Sequence, residues 1–300
     1  MRFTNKVVGS IWIIILVVGI ASGWWLHAKS ESRENPTAVE QNLHYGYFST
    51  RDFFDHAFAN LPTPIAEKQS SIKGVVVNHH LLAANLIAKT LLAAAAGSHP
   101  STIVLISPNH LSLGKNSIIT SRYDWKTPYG VVKTDQKVVD RIVASPRLGV
   151  DEKPFETEHG ISGVVPFIKK VFPEAHIVTI IVKDRLHAAD ADVFSEKLAA
   201  ALPPDALVIL SMDFSHYKPS WVAEAHDIES IRVLEQLDLN GISKLDIDTK
   251  PGLRIFLNLM KQSNATHWNL VSHSNAAKIL GHEIPEGTTS YVTGTYSVLK

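Results

Sequence analysis

The amino-acid sequence predicts an α/β fold: a single domain whose largely parallel or mixed central sheet is flanked by helices. Three apolar runs have the length and composition of buried strands, at residues 74–77, 103–106 and 206–210. Stretches with helical composition alternate with strands along most of the chain. Each of the three strands runs directly into a polar loop that contains histidine. Because ligands bind at the carboxyl ends of strands in open α/β sheets, we expect a functional site there.

The other elements follow from the turn and capping residues between apolar runs. Gly97 and Pro100 end the first helix, Asp135 can cap a later one, and Pro203 stops a third. In order, the remaining predicted elements are helix 81–96, short strands within 117–134, a helix from Asp135 to about 144, a helix ending before 173, strand 176–182, helix 189–202, helices near 223–238 and 251–262, and an edge or hairpin strand within 287–299.

The amino-terminal segment is expected to cross a membrane. Residues 7–26 carry no charge and are dominated by isoleucine, valine, leucine and tryptophan. A helix of this length spans roughly 30 Å, the thickness of a bilayer core. Arg2 and Lys6 precede the segment, which predicts residues 1–6 in the cytoplasm and an exported body, periplasmic or extracellular. The alternative is a cleaved signal peptide, for which residues 21–23 form a weak cleavage site.

The rest of the composition narrows the class of protein. Residues 27–72 are expected to form a linker and amino-terminal extension, and residues 73–300 the domain. The chain contains no cysteine, so disulfides, zinc–thiolate sites and iron–sulfur clusters are excluded. Lysine and arginine number 29, as do aspartate and glutamate, which is no electrostatic reason to expect nucleic acid. The expected partners are the membrane, through the amino-terminal segment, and a small-molecule or peptide ligand.

Imidazole and carboxylate side chains are concentrated in the loops that follow the strands. His79 follows the first strand and His110 the second, while Asp213 comes shortly before His216 after the third. Neutral imidazole is the commonest metal ligand, and two histidines with one further donor are typical of non-haem iron and many zinc sites. We therefore expect His79, His110 and His216 to share one site, with Asp213 or Glu158 orienting an imidazole. The alternative for a lone loop histidine is a solvated or capping role, and for Asp213 a turn-stabilising one.

A series of motifs occurs in order between roughly residue 73 and residue 300. They are 107–114 (Ser-Pro-Asn-His-Leu-Ser-Leu-Gly), 125–130 (Trp-Lys-Thr-Pro-Tyr-Gly), Asp135, Glu158-His159, Pro166-Phe167, 211–217 (Ser-Met-Asp-Phe-Ser-His-Tyr), Ala225-His226-Asp227 and 290–294 (Ser-Tyr-Val-Thr-Gly). Together these motifs resemble those of the Memo family, known in prokaryotes as AmmeMemoRadiSam system protein B.

Resemblance to the Memo family implies a fold similar to that of class III extradiol (LigB-type) non-haem iron dioxygenases, with a metal site at the strand ends. The family's ligand histidines map onto His79 and His110. Its aspartate and histidine near the metal map onto Asp213 and His216, and its acidic–histidine pair onto Glu158-His159. The resemblance implies Fe(II) or copper as cofactor, and zinc is the further candidate that imidazole chemistry allows.

The chain departs from the family pattern at three places. The usual Pro-His-Ala-Gly-Tyr is Asn-His-His-Leu-Leu at residues 78–82. The Glu and Gln that usually follow the acidic–histidine pair are Ser162 and Val164. The third ligand of the animal members is a cysteine, which this chain lacks. His273, in the corresponding segment 272–275, is the residue that could replace it.

The first interpretation of the function is a membrane-anchored, dioxygenase-like oxidoreductase. His79 and His110 would bind Fe(II), and His273 or His216 would complete the site. His216, oriented by Asp213, would act as general acid or base. The candidate catalytic residues are His216, Asp213, Glu158 and His159.

Two other interpretations use the same fold. The protein could be a membrane-tethered binding or scaffold protein without catalysis, which the altered 78–82 loop and the absent thiol favour. The same imidazoles could also hold zinc and activate a water molecule for hydrolysis.

Overall fold

The computed structural model describes residues 42–47, 50–62 and 70–299. The strands in this part of the chain are β1 (Leu43–Tyr45), β2 (Ser70–Val77), β3 (Thr102–Pro108), β4 (Ile118–Thr120), β5 (Asp124–Thr127), β6 (Gly130–Val132), β7 (Leu148–Val150), β8 (His176–Val182), β9 (Leu207–Ser211), β10 (His267–Asn275) and β11 (Ser290–Leu299). The α-helices are α1 (Arg51–Phe58), α2 (Ala84–Ala95), α3 (Gln136–Ile142), α4 (His159–Ser162), α5 (Val165–Val171), α6 (Ala188–Ala201), α7 (Ser220–Gln236), α8 (Lys250–Gln262) and α9 (Ala276–Leu280).

Eight of the strands form one mixed sheet in the order β10-β11-β2-β9-β3-β8-β4-β7, and the other three form a small sheet, β1-β5-β6. The central strands β2, β9, β3 and β8 pair in parallel. Strand β4 joins β8 in the antiparallel sense, as β11 joins β2 and β10 joins β11. The mixed α/β single domain therefore fits the prediction from the sequence.

Helices cover both faces of the large sheet, and strand β3 shows how the core is divided. Ile103 and Leu105 face a hydrophobic cluster built with α1, α2 and α5, whereas Val104 and Ile106 face a second cluster built with α3, α6 and α8. This alternation follows from the two-residue period of a strand. Burial on both faces explains why the sequence of β3 is a continuous apolar run rather than an alternating one.

The membrane-spanning segment predicted ahead of the domain is not supported, and this part of the fold prediction is corrected. Within the described ranges, no helix is long and apolar enough to cross a bilayer. The longest of these helices, α7, has 17 residues and includes several charged side chains, whereas a spanning helix needs about 20 predominantly apolar residues. The predicted segment 7–26 and its flanking residues 1–6 and 27–41 lie outside the described residues.

Residues that the sequence placed in the amino-terminal extension contribute two elements to the structure. Strand β1 pairs in parallel with β5 of the small sheet. Helix α1 places Phe54 in the core, fully buried in the cluster that also contains Ile103 and Leu105. Both elements are short and of mixed composition, so their apolar side chains form no periodic pattern long enough to predict them.

The strand predicted within 287–299 is β11, and it lies between β10 and β2 rather than at the edge of the sheet. The edge position belongs to β10, which the sequence did not predict. Most residues of β10 are polar and at least partly exposed, with Trp268 and Asn275 as the buried exceptions. A polar edge strand protects a sheet from pairing with other chains, but its sequence does not differ enough from that of a loop to be recognised.

Asp135 caps α3 as the sequence predicted. Its side chain accepts a hydrogen bond from the backbone N–H of Val138 at 3.1 Å and from the Thr102 hydroxyl at 2.6 Å. Replacing Asp135 with alanine is expected to lower the free energy of unfolding by about 1 kcal/mol, because the helix loses its amino-terminal cap. Chemical denaturation measures this change. Asp140→Ala, on the solvent-facing side of α3, should cost less than about 0.5 kcal/mol, and equal losses in both variants would contradict the capping role.

Candidate metal centre

The parallel pairing of β2, β9 and β3 brings three polar loops together at one edge of the sheet. His79 follows β2, Asp213 follows β9, and His110 follows β3. Strand β9 lies between the other two, so the Asp213 loop separates the two histidine loops. Each loop begins where the backbone leaves the sheet, which orients its side chains into a shared space at the carboxyl ends of the strands.

Three imidazoles meet in this space. The ring centroids of His79 and His110 are 4.9 Å apart, those of His110 and His159 are 4.0 Å apart, and those of His79 and His159 are 5.2 Å apart. One ring nitrogen from each lies within 4.8 Å of the others. Two nitrogens bound to one ion at about 2.1 Å are at most about 4.2 Å apart. Small side-chain adjustments would therefore let the three histidines hold a metal ion.

Hydrogen bonds orient two of the imidazoles and determine which nitrogen is free. The Ser211 hydroxyl donates its proton to the Gly160 carbonyl at 2.7 Å, so it can only accept from Nδ1–H of His79, 3.1 Å away. Nδ1 of His110 lies 2.7 Å from the Glu158 carboxylate, to which it donates. With both Nδ1 atoms protonated, the neutral rings carry their lone pairs on Nε2, as metal-binding histidines do.

Two aspartates, the buried Asp213 and the largely buried Asp248, face these Nε2 atoms. Nε2 of His79 lies 3.3 Å from Asp248 Oδ2 and 3.6 Å from Asp213 Oδ2, and Nε2 of His110 lies 4.0 Å from Asp248 Oδ2. Asp248 comes from the loop before α8 and was missed by the reasoning from sequence. Since it directly precedes Thr249, the residue that caps α8, the local pattern indicated a helix start rather than a site.

Burial controls the protonation of the cluster. It lowers the pKa of His79 well below the usual value, and neighbouring His110 lowers it further. Burial likewise raises the pKa of Asp213, and it raises the pKa of Asp248 well above the usual range, with a further contribution from the charge of Asp213. For Glu158 burial acts in the same upward direction, but hydrogen bonds from His110 and its neighbours outweigh it and hold the pKa below the usual value. The imidazole of His79 is therefore neutral and available as a ligand near neutral pH.

The charges of this site suit a cation. Among the described residues, the partners of Asp213 and Asp248 within ion-pair distance are imidazoles, and neither carboxylate pairs with lysine or arginine. Oδ1 of Asp248 is buried and has no hydrogen-bond partner in that part of the chain. Buried carboxylates are stable when they are paired or coordinate a metal. The nitrogen and oxygen donors present here therefore fit a divalent metal ion.

A cavity of about 740 Å³ opens onto the cluster. Its volume lies within the range of small-molecule sites, roughly 300–1,000 Å³. The described residues of the lining include aromatic and aliphatic side chains beside the histidines and no lysine or arginine. The lining residues are Tyr47, His79, His80, Leu81, Leu82, His110, His159, Asp213, His216, Tyr217, Ala276, Ile284, Gly287 and Thr289.

The structure brings most of the predicted site residues together. The lining of the cavity includes five of them: His79, His110, His159, Asp213 and His216. Glu158 is buried behind His110. Asp213 uses Oδ1 to accept the backbone N–H of His79 at 3.1 Å, and the described contacts include no hydrogen bond between Asp213 and His216. The catalytic roles of these residues stay predictions.

His273 is not part of the imidazole cluster. Its side chain projects from β10, and Nε2 lies 2.8 Å from the buried carboxylate of Asp227. The second carboxylate oxygen of Asp227, Oδ1, accepts a hydrogen bond from the Ser290 hydroxyl at 2.8 Å. His159 occupies the position in the group of three for which the sequence suggested His273 or His216. The sequence singled out His159 through its neighbour Glu158, as a candidate catalytic residue, but no spacing marked it as the third ligand.

Glu158 holds His110 through three hydrogen bonds within its loop. Besides the Nδ1 contact, its carboxylate accepts from the backbone N–H groups of His110 and Gly160, both at 2.9 Å. Glu158→Gln keeps the size of the side chain but removes the charge and adds a donor where acceptors are needed. We expect affinity for a divalent metal to fall about 10–100-fold, measured by equilibrium dialysis. Unchanged affinity in this variant would exclude a role for Glu158 in orienting the ligand.

Fold and site together define a mixed α/β protein with a histidine cluster that could hold a metal ion. The family model described as Memo-like protein matches residues 49–293, and the chain belongs to this family. A MEMO1 family protein of Thermotoga sp. (strain RQ2) is 30% identical over 240 residues, which are 75% of this chain and 83% of that protein. A MEMO1 family protein of Methanothermobacter thermautotrophicus is 30% identical over 195 residues, 63% of this chain and 70% of that protein.

A solved structure is also similar to this chain. It is the crystal structure of the uncharacterized protein JW3007 from Escherichia coli K12, with a TM-score of 0.49 and 14% identity. The similarity covers 76% of this chain and 99% of that chain. At this level the similarity supports no inference about function.

Proposed function

We propose that this Memo-family protein binds one Fe(II) ion at the histidine cluster and uses it in an oxidation–reduction reaction on a small molecule. The observation that carries the proposal is the free Nε2 lone pair on His79 and His110, with each Nδ1 proton donated to Ser211 or Glu158. His159 supplies a third nitrogen. Imidazoles fixed in this way are arranged to bind a metal rather than to exchange protons with water.

The choice of iron over copper is supported by the donor atoms. The chain contains no cysteine, and no methionine is among the described residues that line the cavity, so this lining offers none of the soft sulfur ligands that select Cu(I). Imidazole nitrogens combined with buried carboxylates are instead typical of non-haem Fe(II) sites with open positions. A bound Fe(II) ion would supply redox chemistry and a Lewis-acid position that the side chains themselves lack.

The protein's own residues would bind the substrate and transfer protons. His216 lies in the cavity wall and is half-buried, so it can reach both a bound molecule and solvent. A positioned imidazole is suited to act as general acid or base near neutral pH. Because no lysine or arginine is among the lining residues that the structure describes, an uncharged or weakly polar substrate is favoured over an anionic one.

The proposal is tested by identifying the metal. The full-length protein, purified without oxygen, should contain about one iron per chain by elemental analysis. Metal-free protein offered equal Fe(II), Zn(II) and Cu(I) should retain iron in preference to copper. Nitric oxide, added as a probe for an open metal position, should produce a new electron paramagnetic resonance signal. Exclusive retention of zinc would favour the hydrolase, and absence of any bound metal would favour a non-catalytic binding protein.

A further inference from the structure

We infer that the carboxylate of Asp248 is a direct ligand of the metal ion held by His79 and His110. The inference rests on the proposed function, because it requires a metal at those imidazoles. It adds a residue from outside the histidine loops to the site and defines the donor set as imidazole nitrogen plus carboxylate oxygen. Asp248 lies between α7 and α8, in the loop that ends at the first residue of α8.

The distances from Asp248 are those of ligands that share an ion. Its Oδ2 is 3.3 Å from Nε2 of His79 and 4.0 Å from Nε2 of His110. Two ligand atoms at about 2.1 Å from one ion are separated by roughly 3.0–3.4 Å at octahedral or tetrahedral angles. Asp248 is the one carboxylate in the described part of the chain that lies within 4.0 Å of both Nε2 atoms.

Neutral His79 supplies no proton to its contact with Asp248. The single proton of neutral His79 is on Nδ1, where the Ser211 hydroxyl accepts it. Nε2 therefore presents a lone pair to Asp248 Oδ2 at 3.3 Å, and the contact needs either a proton on the Asp248 carboxyl or a cation between the two atoms. A metal ion at this position would bond to both atoms.

Asp248 also has coordination capacity that the protein does not use. Its side chain is 9% exposed, and Oδ1 has no hydrogen-bond partner in the described part of the chain. Oδ2 accepts a single hydrogen bond, from the backbone N–H of Asp213 at 2.9 Å. A buried carboxylate oxygen without a partner is costly unless an ion or a proton satisfies it.

The loop around Asp248 is held in place on both sides. The backbone N–H of Asp248 donates to the carbonyl of Asp213 at 3.3 Å, which ties this loop to the one that follows β9. The next residue, Thr249, caps α8 by accepting from the backbone N–H of Gly252 at 3.2 Å. A ligand supported by two rigid elements keeps its geometry when the metal leaves, so the site is preorganised.

The test compares metal affinity in the full-length protein and two variants, Asp248→Asn and Asp248→Ala. Metal-free protein is prepared with a chelator and titrated anaerobically with Fe(II). Because a direct ligand is lost, both variants should bind Fe(II) at least about 100-fold more weakly, at or beyond the upper range for residues that only orient ligands. Co(II), bound as a spectroscopic probe, should give a different visible absorption spectrum in Asp248→Asn from that of the wild type.

Asp246→Asn is the matched control. Asp246 is two residues away in the same loop, its side chain is 39% exposed, and it faces His226 rather than the cluster. This variant should bind Fe(II) with wild-type affinity.

Wild-type affinity and an unchanged cobalt spectrum in Asp248→Asn would overturn the role of Asp248 and leave the proposed metal site intact. Failure of the wild-type protein to bind Fe(II) would instead overturn the proposed function. Circular dichroism of the metal-free proteins separates loss of a ligand from loss of the fold, and Asp248→Asn preserves side-chain volume if Asp248→Ala unfolds.

Discussion

Replacing His79 with glutamine is expected to lower the affinity for Fe(II) by more than about 100-fold, because the variant loses a ligand and not only a partner that orients one. His79 is buried, its Nε2 faces Asp213 and Asp248, and its Nδ1 is already committed to Ser211. Glutamine fills most of the space of the imidazole. The variant therefore measures the loss of the ligand nitrogen without the added effect of an empty cavity. Anaerobic titration of metal-free protein, followed by elemental analysis, measures the effect.

The control for His79 is another histidine outside the site. His267 begins β10 and is exposed, so His267→Gln should keep wild-type affinity. Thermal unfolding of the metal-free proteins should also be compared, since His79 is packed among His110, His159 and Ser211. If His79→Gln bound Fe(II) as tightly as the wild type, the histidine cluster would not be the metal site, and a binding or scaffold role would be favoured.

A single methyl group at Gly160 is expected to disturb the whole centre. A Cβ atom there would lie 2.1 Å from the Ser107 hydroxyl oxygen, 3.2 Å from Glu158 Oε1 and 3.3 Å from Nδ1 of His79. The first of these distances is impossible without movement, and the other two are tight against groups that orient the imidazoles. Gly160→Ala should therefore cost about 1–3 kcal/mol of unfolding free energy, as overpacked cores do, and weaken Fe(II) binding by at least about 10-fold.

A second substitution provides the control for Gly160. Ser107→Ala removes the oxygen that the new methyl group would strike, so the double variant should recover most of the lost stability and metal affinity. Ser107 donates to the Pro108 carbonyl at 3.2 Å, so Ser107→Ala alone is expected to cost about 1 kcal/mol or less. A double-mutant cycle measures the coupling between the two positions. Purely additive effects would show that crowding at Ser107 is not the cause.

The loops at the strand ends illustrate what local sequence can predict. Strands β3 and β8 are continuous apolar runs because both of their faces are buried, and this pattern is visible without any neighbours. Once β2 and β3 are recognised as strands of one sheet, convergence of His79 and His110 follows from the shared edge of the sheet. The cap at Asp135 is equally local, since it depends on residues three positions apart.

The third imidazole and the carboxylates depend on contacts that no local pattern records. His159 follows Glu158 and His273 lies between two serines, but neither surrounding identifies a ligand, and only packing places His159 against His110 and directs His273 towards Asp227. Asp248 has the local signature of a residue before a capped helix. The contact between Asp248 and His79 depends on how the chain packs between α7 and α8.

The sequence by itself therefore determined the α/β class, the strand ends that carry histidine, the absence of thiolate ligands and the resemblance to the Memo family. The tertiary structure alone decided which histidines share a site, which aspartates face them, and how β1, α1 and β10 complete the domain. The physical reason is the separation along the sequence between the residues that interact. Strand burial and helix capping depend on residues that are close in sequence, whereas the metal centre is built from loops more than a hundred residues apart, such as those of His79 and Asp248.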